Sequence, residues 1–292
     1  MSATADPLTD PELLGTAWDL DPLVDGDGEP GVDRMLDEAV AAATEFSDRY
    51  AGKVGEFDVD GLAQAMHELA RIHELVGRAG SYAALRFSTD TADPTRGALL
   101  QRVQERGTEV ETKLLFFDLE WAALDDERAE ELLGGRESGD ELEFCRHHLR
   151  TVRRYRPHLL SEKEEKLLTE KSISSQSAWA RLFGEVVAAL RVDLDGDEVT
   201  LDVALSRLQL ADRDTRKAAA EAVSKTLEPG LRTRAFIFNT LVYDKSVEDR
   251  LRSYPHWLAS RNLANEASDE SVMALIEAVR RRYDVPRRWY AL

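Results

Sequence analysis

One cysteine, Cys145, stands in 292 residues, so no disulfide can form within the chain. That usage fits a reducing cytoplasm and leaves packing to hold the fold. The segment GDELEFCRHHLRTV around it reads as helix, and Cys145 is expected to be a buried, small apolar group rather than a nucleophile. Long apolar runs are also missing. Even KLLFFDLEWAAL, over 113–124, is interrupted by Asp118 and Glu120, so no segment has the makings of a membrane span. The N-terminus, MSATADPLTDPELLG, is acidic and lacks the basic start and apolar stretch of a secretory signal. These absences predict a soluble, cytoplasmic chain. Basic residues are scarce: Lys and Arg number 38 against 56 Asp and Glu, a formal net charge of -18. Such a surface repels nucleic acid and anionic lipid, so neither is an expected partner. The acidity serves solubility, or it lines a cavity that attracts cationic peptides.

Catalytic constellations are absent as well. A helix-borne zinc peptidase site needs two histidines four residues apart, with a glutamate beside the first to take a proton from metal-bound water. His67-Glu68 and His73-Glu74 begin that pattern, but Arg71 and Gly77 stand where the second histidine belongs. His67 and His73 are six apart and far around the helix from each other; His73, on an apolar stripe, is expected to be packed with one hydrogen-bond partner. His147 and His148 are adjacent and point about 100° apart. His158 and His256 sit in or near loops. No glycine-rich phosphate loop and no G-x-S-x-G elbow occurs. Ser174, Ser175 and Ser177 read as linker or helix-start residues. Arg250, Arg252 and Arg261 surround Tyr254, His256 and Trp257 and could hold a carboxylate bidentately. The nearby Asp244, Glu248, Asp249 and Glu266 favour interhelical ion pairing instead. No residue is therefore assigned a catalytic, cofactor-binding or metal-ligating role, and this chain alone is expected to bind no metal.

What remains is helix. After a turn-forming tail to about residue 31, in which Trp18 and Leu20 are candidate anchors, apolar residues recur at three- and four-residue steps. They predict helices over 33–53 and 58–87. A third opens at Asp93-Pro94, cap and first-turn proline. Its seam of Val103, Gly107, Val110, Leu114, Phe117, Trp121 and Leu124 has heptad spacing, suited to an antiparallel helical hairpin. Further helices are expected over 140–154 and 161–190, the latter opened by a Ser161/Glu164 capping box. Asp195-Gly196 lies between alternating 191–194 and 198–201, which predicts a short exposed β-hairpin. Helices over 203–208, 214–227 and 230–252 follow, with the apolar 232–244 stretch expected to be central. A last helix is expected to open at Pro286. The fold class is mainly α, bundle-like, with one hairpin near 191–201. Three parts are expected: a tail over 1–31, helical hairpins over 32–190, and the β-hairpin plus helices over 191–292.

The ordered segments Trp18-Asp19-Leu20, Tyr82-Ala83-Ala84-Leu85, 113–124, PHLLSEKEEKLL over 157–168, SAWARLF over 177–183 and DRLRSYPHWLASRNLANE over 249–266 resemble the N-terminal half of oligoendopeptidase F and its thimet-oligopeptidase-like zinc metallopeptidase relatives. The resemblance implies a channel wall that admits short peptide substrates, and a zinc ion held in a C-terminal catalytic half whose H-E-x-x-H these residues do not include. Together with the apolar stop at Leu292 it raises the expectation of a truncated endopeptidase, inactive by itself. The alternative is a non-catalytic helical module that binds peptides or proteins.

Overall fold

The computed structural model describes residues 16–91, 93–133 and 140–292. Three long helices build its body: α1 (Gly28–Tyr50), α2 (Val59–Thr89) and α3 (Pro94–Ala123), each packed on both others. Their starts follow from short polar side chains at the caps. Asp58 accepts the Gly61 N–H at 2.8 Å and Asp93 the Thr95 N–H at 2.8 Å, each satisfying an amide the helix leaves free. The expected stripes are buried: Met35, Leu36, Ala39, Ala43 and Phe46 on α1, and Leu62, Met66, Leu69 and Ile72 on α2. The heptad seam of α3 is buried at Val103, Val110, Leu114, Phe117 and Trp121. A ring cluster of Phe46, Tyr50, Phe57, Phe116 and Phe117, with neighbouring centroids 4.8–5.9 Å apart, fills the end of the bundle where α1 turns into α2. Glu120 clamps that turn by accepting N–H groups of Gly52 and Val54 at 2.7 and 3.2 Å.

The entry to α1 differs from expectation. The helix opens at Gly28, not residue 33, because Pro30 lies in the first turn, where its missing N–H costs nothing. Gly31 has to be glycine there: a Cβ would lie 2.5 Å from the Val24 carbonyl. Val24, on a 3-10 turn over Asp21–Val24, is fully buried and anchors the segment, while Trp18 stays 81% exposed and anchors nothing. Residues 1–15 of the expected tail lie outside the described residues.

Two expected helices are each broken. Residues 140–154 form a 3-10 turn (Asp140–Leu142) and then α5 (Arg146–Arg154), after the short α4 (Asp126–Leu132). Leu142, Cys145 and Leu149 are all buried, and because a 3-10 turn shares the three-residue step of a helix, the stripe continues across the break. Residues 161–190 form α6 (Glu162–Ser172) and α7 (Gln176–Ala188). The Ser161/Glu164 capping box is present. The break falls where the Ser172, Ser174 and Ser175 hydroxyls donate to the carbonyls of Thr169 and Lys171, a local alternative to the helix ladder.

The hairpin pairs β1 (Arg191–Leu194) with β2 (Asp197–Thr200) antiparallel, and Asp195 and Gly196 take the positive φ values of a type I′ turn. It does not project free. Val192 is fully buried against Ala204 of α8 (Leu201–Ser206) and Val223 of α9 (Arg213–Leu227), a small second core. Four helices close the chain: α10 (Leu231–Leu251), α11 (Ala259–Ala264), α12 (Asp269–Arg281) and α13 (Asp284–Tyr290). The last opens two residues before Pro286. The stretch over 232–244 is not central: Ile237 is buried, but Phe236, Phe238, Val242 and Tyr243 are exposed, and no residue of α12 or α13 is buried. Its apolar content marks a helix that α7 covers on one side and that the other described residues leave open, not an interior helix.

Candidate functional site

The bundle leaves a concavity on the side of α2 and α3 that faces α5. Along α2 and α3, small residues (Ala70, Gly80, Gly107, Thr108) hold the facing surface low, and α5 and the α6–α7 junction stand across from it. The result is a cleft of about 870 Å³. Its walls are apolar, supplied by Met66, Leu69, Val76, Val103, Leu114 and Phe144. Its charged or titratable lining is His73 from α2, Glu111 and Asp118 from α3, and Cys145 and His148 at the start of α5.

These groups have different environments. Cys145 is buried, its thiol pushed up by burial, and it contacts the Leu142 carbonyl at 3.6 Å; it is the inert apolar filler the sequence suggests. Asp118 reaches solvent through the cleft, yet the surrounding walls raise its pKa above the ordinary carboxylate range, against a partial pull downward from His148 and His73. Asp118, Glu111, His73 and His148 make no hydrogen bond or ion pair with the described residues. Elsewhere on the bundle several acidic groups are paired: Arg49 with Glu68 at 2.8 Å, Arg102 with Asp33 at 2.9 Å, Arg106 with Asp37 at 2.7 Å. No lysine or arginine lines the cleft.

Sequence reasoning misses this grouping. It expects His73 packed on the apolar stripe; Ile72 takes that place, and His73 is exposed without a hydrogen-bond partner. In the sequence, Asp118 is only an interruption in a greasy run. The usable signal is its distance from Glu111, seven residues and two helical turns, which sets both on one face of α3.

The other histidines make contacts within the chain. His67 stacks on Phe144 with centroids 4.2 Å apart. His147 meets Glu266 at 2.8 Å and His256 meets Asp269 at 2.8 Å. His158 stacks on Tyr254 at 3.9 Å and its Nδ1 lies 2.9 Å from the Arg252 carbonyl. Arg252 resolves the arginine cluster in favour of ion pairing: it grips Glu165 bidentately at 2.6 and 2.9 Å and reaches Glu248 at 3.0 Å. Arg250 and Arg261 make no such pair among the described residues. A zinc ion, implied by the resemblance, finds no fit here. No three His, Cys, Asp or Glu side chains among the described residues converge where an ion could sit. No helix among the described residues is long and apolar enough to cross a membrane.

A family model described as Oligopeptidase F matches residues 120–191. Oligopeptidase PepF of Bacillus subtilis (strain 168) is 25% identical over 250 residues, covering 84% of this chain and 37% of the relative. The crystal structure of oligoendopeptidase-F from Enterococcus faecium superposes with a TM-score of 0.73 at 21% identity, over 88% of this chain and 52% of that one. A Chlamydophila abortus crystal structure shares the fold at TM-score 0.56 and 17% identity, over 94% of this chain and 46% of its own. The chain therefore spans 37% of the curated relative's length and about half of each crystal chain. The chain is thus similar to oligopeptidase F over residues 120–191 and to PepF over 250 residues, and it shares its helical fold with the N-terminal domain of the oligoendopeptidase-F crystal chain, about half of that chain's length.

Proposed function

We propose that these residues form the substrate-channel wall of a zinc-dependent oligoendopeptidase, which hydrolyses internal bonds of short peptides and carries its H-E-x-x-H helix outside these 292 residues. The observation that carries this reading is the 250-residue match to PepF. It is supported by an apolar-walled cleft of a size that takes a few residues of peptide and excludes folded protein. In this reading 32–190 is the wall and 191–292 leads into the catalytic half. Hydrolysis needs a metal to acidify water and a carboxylate to take its proton. This chain contributes binding and orientation instead.

The test is a quenched fluorescent peptide assayed with residues 1–292 and with a longer protein that continues into an H-E-x-x-H region. Cleavage is expected in the longer protein only, lost on chelation and restored by zinc. A longer protein that shows no zinc-dependent cleavage overturns the reading, as does repurified 1–292 that cleaves by itself.

The same reading assigns a role to the uncovered face of the C-terminal helices. Phe238 at 65%, Tyr243 at 72%, Leu275 at 67% and Trp289 at 71% exposure would meet the catalytic half. Apolar surface of this kind promotes association when left open. Residues 1–292 are expected to bind a hydrophobic dye and to self-associate at micromolar concentration. A strictly monomeric, dye-blind chain would show that this face needs no cover.

A further inference from the structure

We propose that the cleft between α2, α3 and α5 seats a basic side chain, arginine or lysine, of a bound peptide, with Asp118 as its counter-ion. The inference deepens the peptide-channel reading and rests on it. Three observations carry it. The first is charge complementarity. Two carboxylates, Glu111 and Asp118, line the cleft, and no lysine or arginine does. Arg102 and Arg106, on the same helix as the two carboxylates, pair instead with Asp33 and Asp37 of α1.

The second is the state of Asp118. It makes no hydrogen bond or ion pair among the described residues, while the walls around it disfavour its charge. The carboxylate is exposed at the cleft, so an incoming guanidinium or ammonium can reach it and would favour its charged form. His73 and His148 flank it from α2 and α5 and offer ring nitrogens, also unbonded, for further contacts. The third is shape. Arginine and lysine carry an apolar stem behind a charged head. Met66, Leu69, Val76 and Leu114 supply an apolar wall for the stem beside the carboxylate for the head.

The test uses the full 292-residue chain and two fluorescein-labelled octapeptides that differ at one central residue, arginine or its uncharged isostere citrulline. Anisotropy titration is expected to show the arginine peptide binding roughly tenfold more tightly, in line with a charge-assisted hydrogen bond. In Asp118→Asn that preference is expected to vanish with Tm unchanged or raised, since the native carboxylate bonds to none of the described residues. A structural Asp118 would instead lower Tm on substitution. Equal binding of the two peptides, no binding of either, or a preference that survives Asp118→Asn overturns the proposal. The peptidase reading fails separately, through absent zinc-dependent cleavage in the longer protein, and that result leaves the arginine preference measurable.

Discussion

Arg252→Ala is expected to destabilise the chain by about 3–5 kcal/mol, the cost of leaving a buried carboxylate without its partner. In melting temperature that is roughly 10 °C for a chain of this size. The partner is Glu165, only 5% exposed. Its Oε1 accepts from Arg252 Nη1 at 2.6 Å and from the Leu160 N–H at 2.9 Å, and its Oε2 accepts from Arg252 Nη2 at 2.9 Å. Arg252 Nη1 also donates to the His158 carbonyl at 3.3 Å. One guanidinium thus ties the start of α6 and the turn before it to the end of α10, and with them the body to the C-terminal helices. Burial pushes the Glu165 carboxyl upward, but Arg252 and the Leu160 amide outweigh it, and the net pKa is lowered. A lowered folded pKa means stability that is present above the unfolded carboxylate pKa and lost as pH falls through the folded one. The gap between wild type and Arg252→Ala should therefore be widest near neutrality and narrow as pH falls through the lowered carboxyl pKa. Replacing both residues with apolar ones, Glu165→Leu with Arg252→Met, should recover most of the loss. Chemical denaturation of wild type, Arg252→Ala and the double variant at pH 7 and pH 3.5 measures it. A loss under about 1 kcal/mol for Arg252→Ala, the level of an exposed pair, would mean the link holds little.

Trp121→Ala is expected to cost about 3–5 kcal/mol, as the largest fully buried side chain leaves a cavity. The indole does more than fill space. Its Nε1–H donates to the Leu149 carbonyl at 2.8 Å and so fixes α5 on the end of α3. Arg153 lies over the ring, 5.9 Å from its centroid, and donates to the Trp121 and Leu124 carbonyls at 2.8 Å each. Trp121→Phe keeps most of the volume and loses the hydrogen bond, so about 1–3 kcal/mol is expected there. Because α5 forms one side of the cleft, both substitutions should also weaken binding of the arginine peptide. Equal stability of the Phe variant and wild type would show that volume alone matters at this site.

Much of this architecture is legible in the residues. The caps at Asp58 and Asp93, the buried seam from Val103 to Trp121, the Asp195-Gly196 turn and the Ser161/Glu164 box are local: each depends on side chains within a few positions of the backbone they fix. The resemblance needs only the order and spacing of short segments. The exits from helix are harder to see. Residues 143–145 and 173–175 interrupt stripes whose three- and four-residue spacing continues across the break, so periodicity carries no sign of them.

The sequence by itself determined a helical chain, its caps, its one hairpin and its peptidase-like pattern without a metal motif, because those features are written in short-range spacing. Only the tertiary structure decided which charged groups lack partners and which apolar helices lack cover. His73 and Ile72 are neighbours on one helix, and packing against α3 chose between them. Asp118 and His148 are thirty residues apart, and the turn of α5 onto the end of α3 brought them to one cleft. The 232–244 helix has the composition of a core element; α7 packs along one side of it, with Trp179 against Phe236 at 5.8 Å, while Phe238, Val242 and Tyr243 stay exposed because no other described segment covers them. Burial is a property of the neighbours a residue acquires, and those neighbours come from distant segments that no local pattern names.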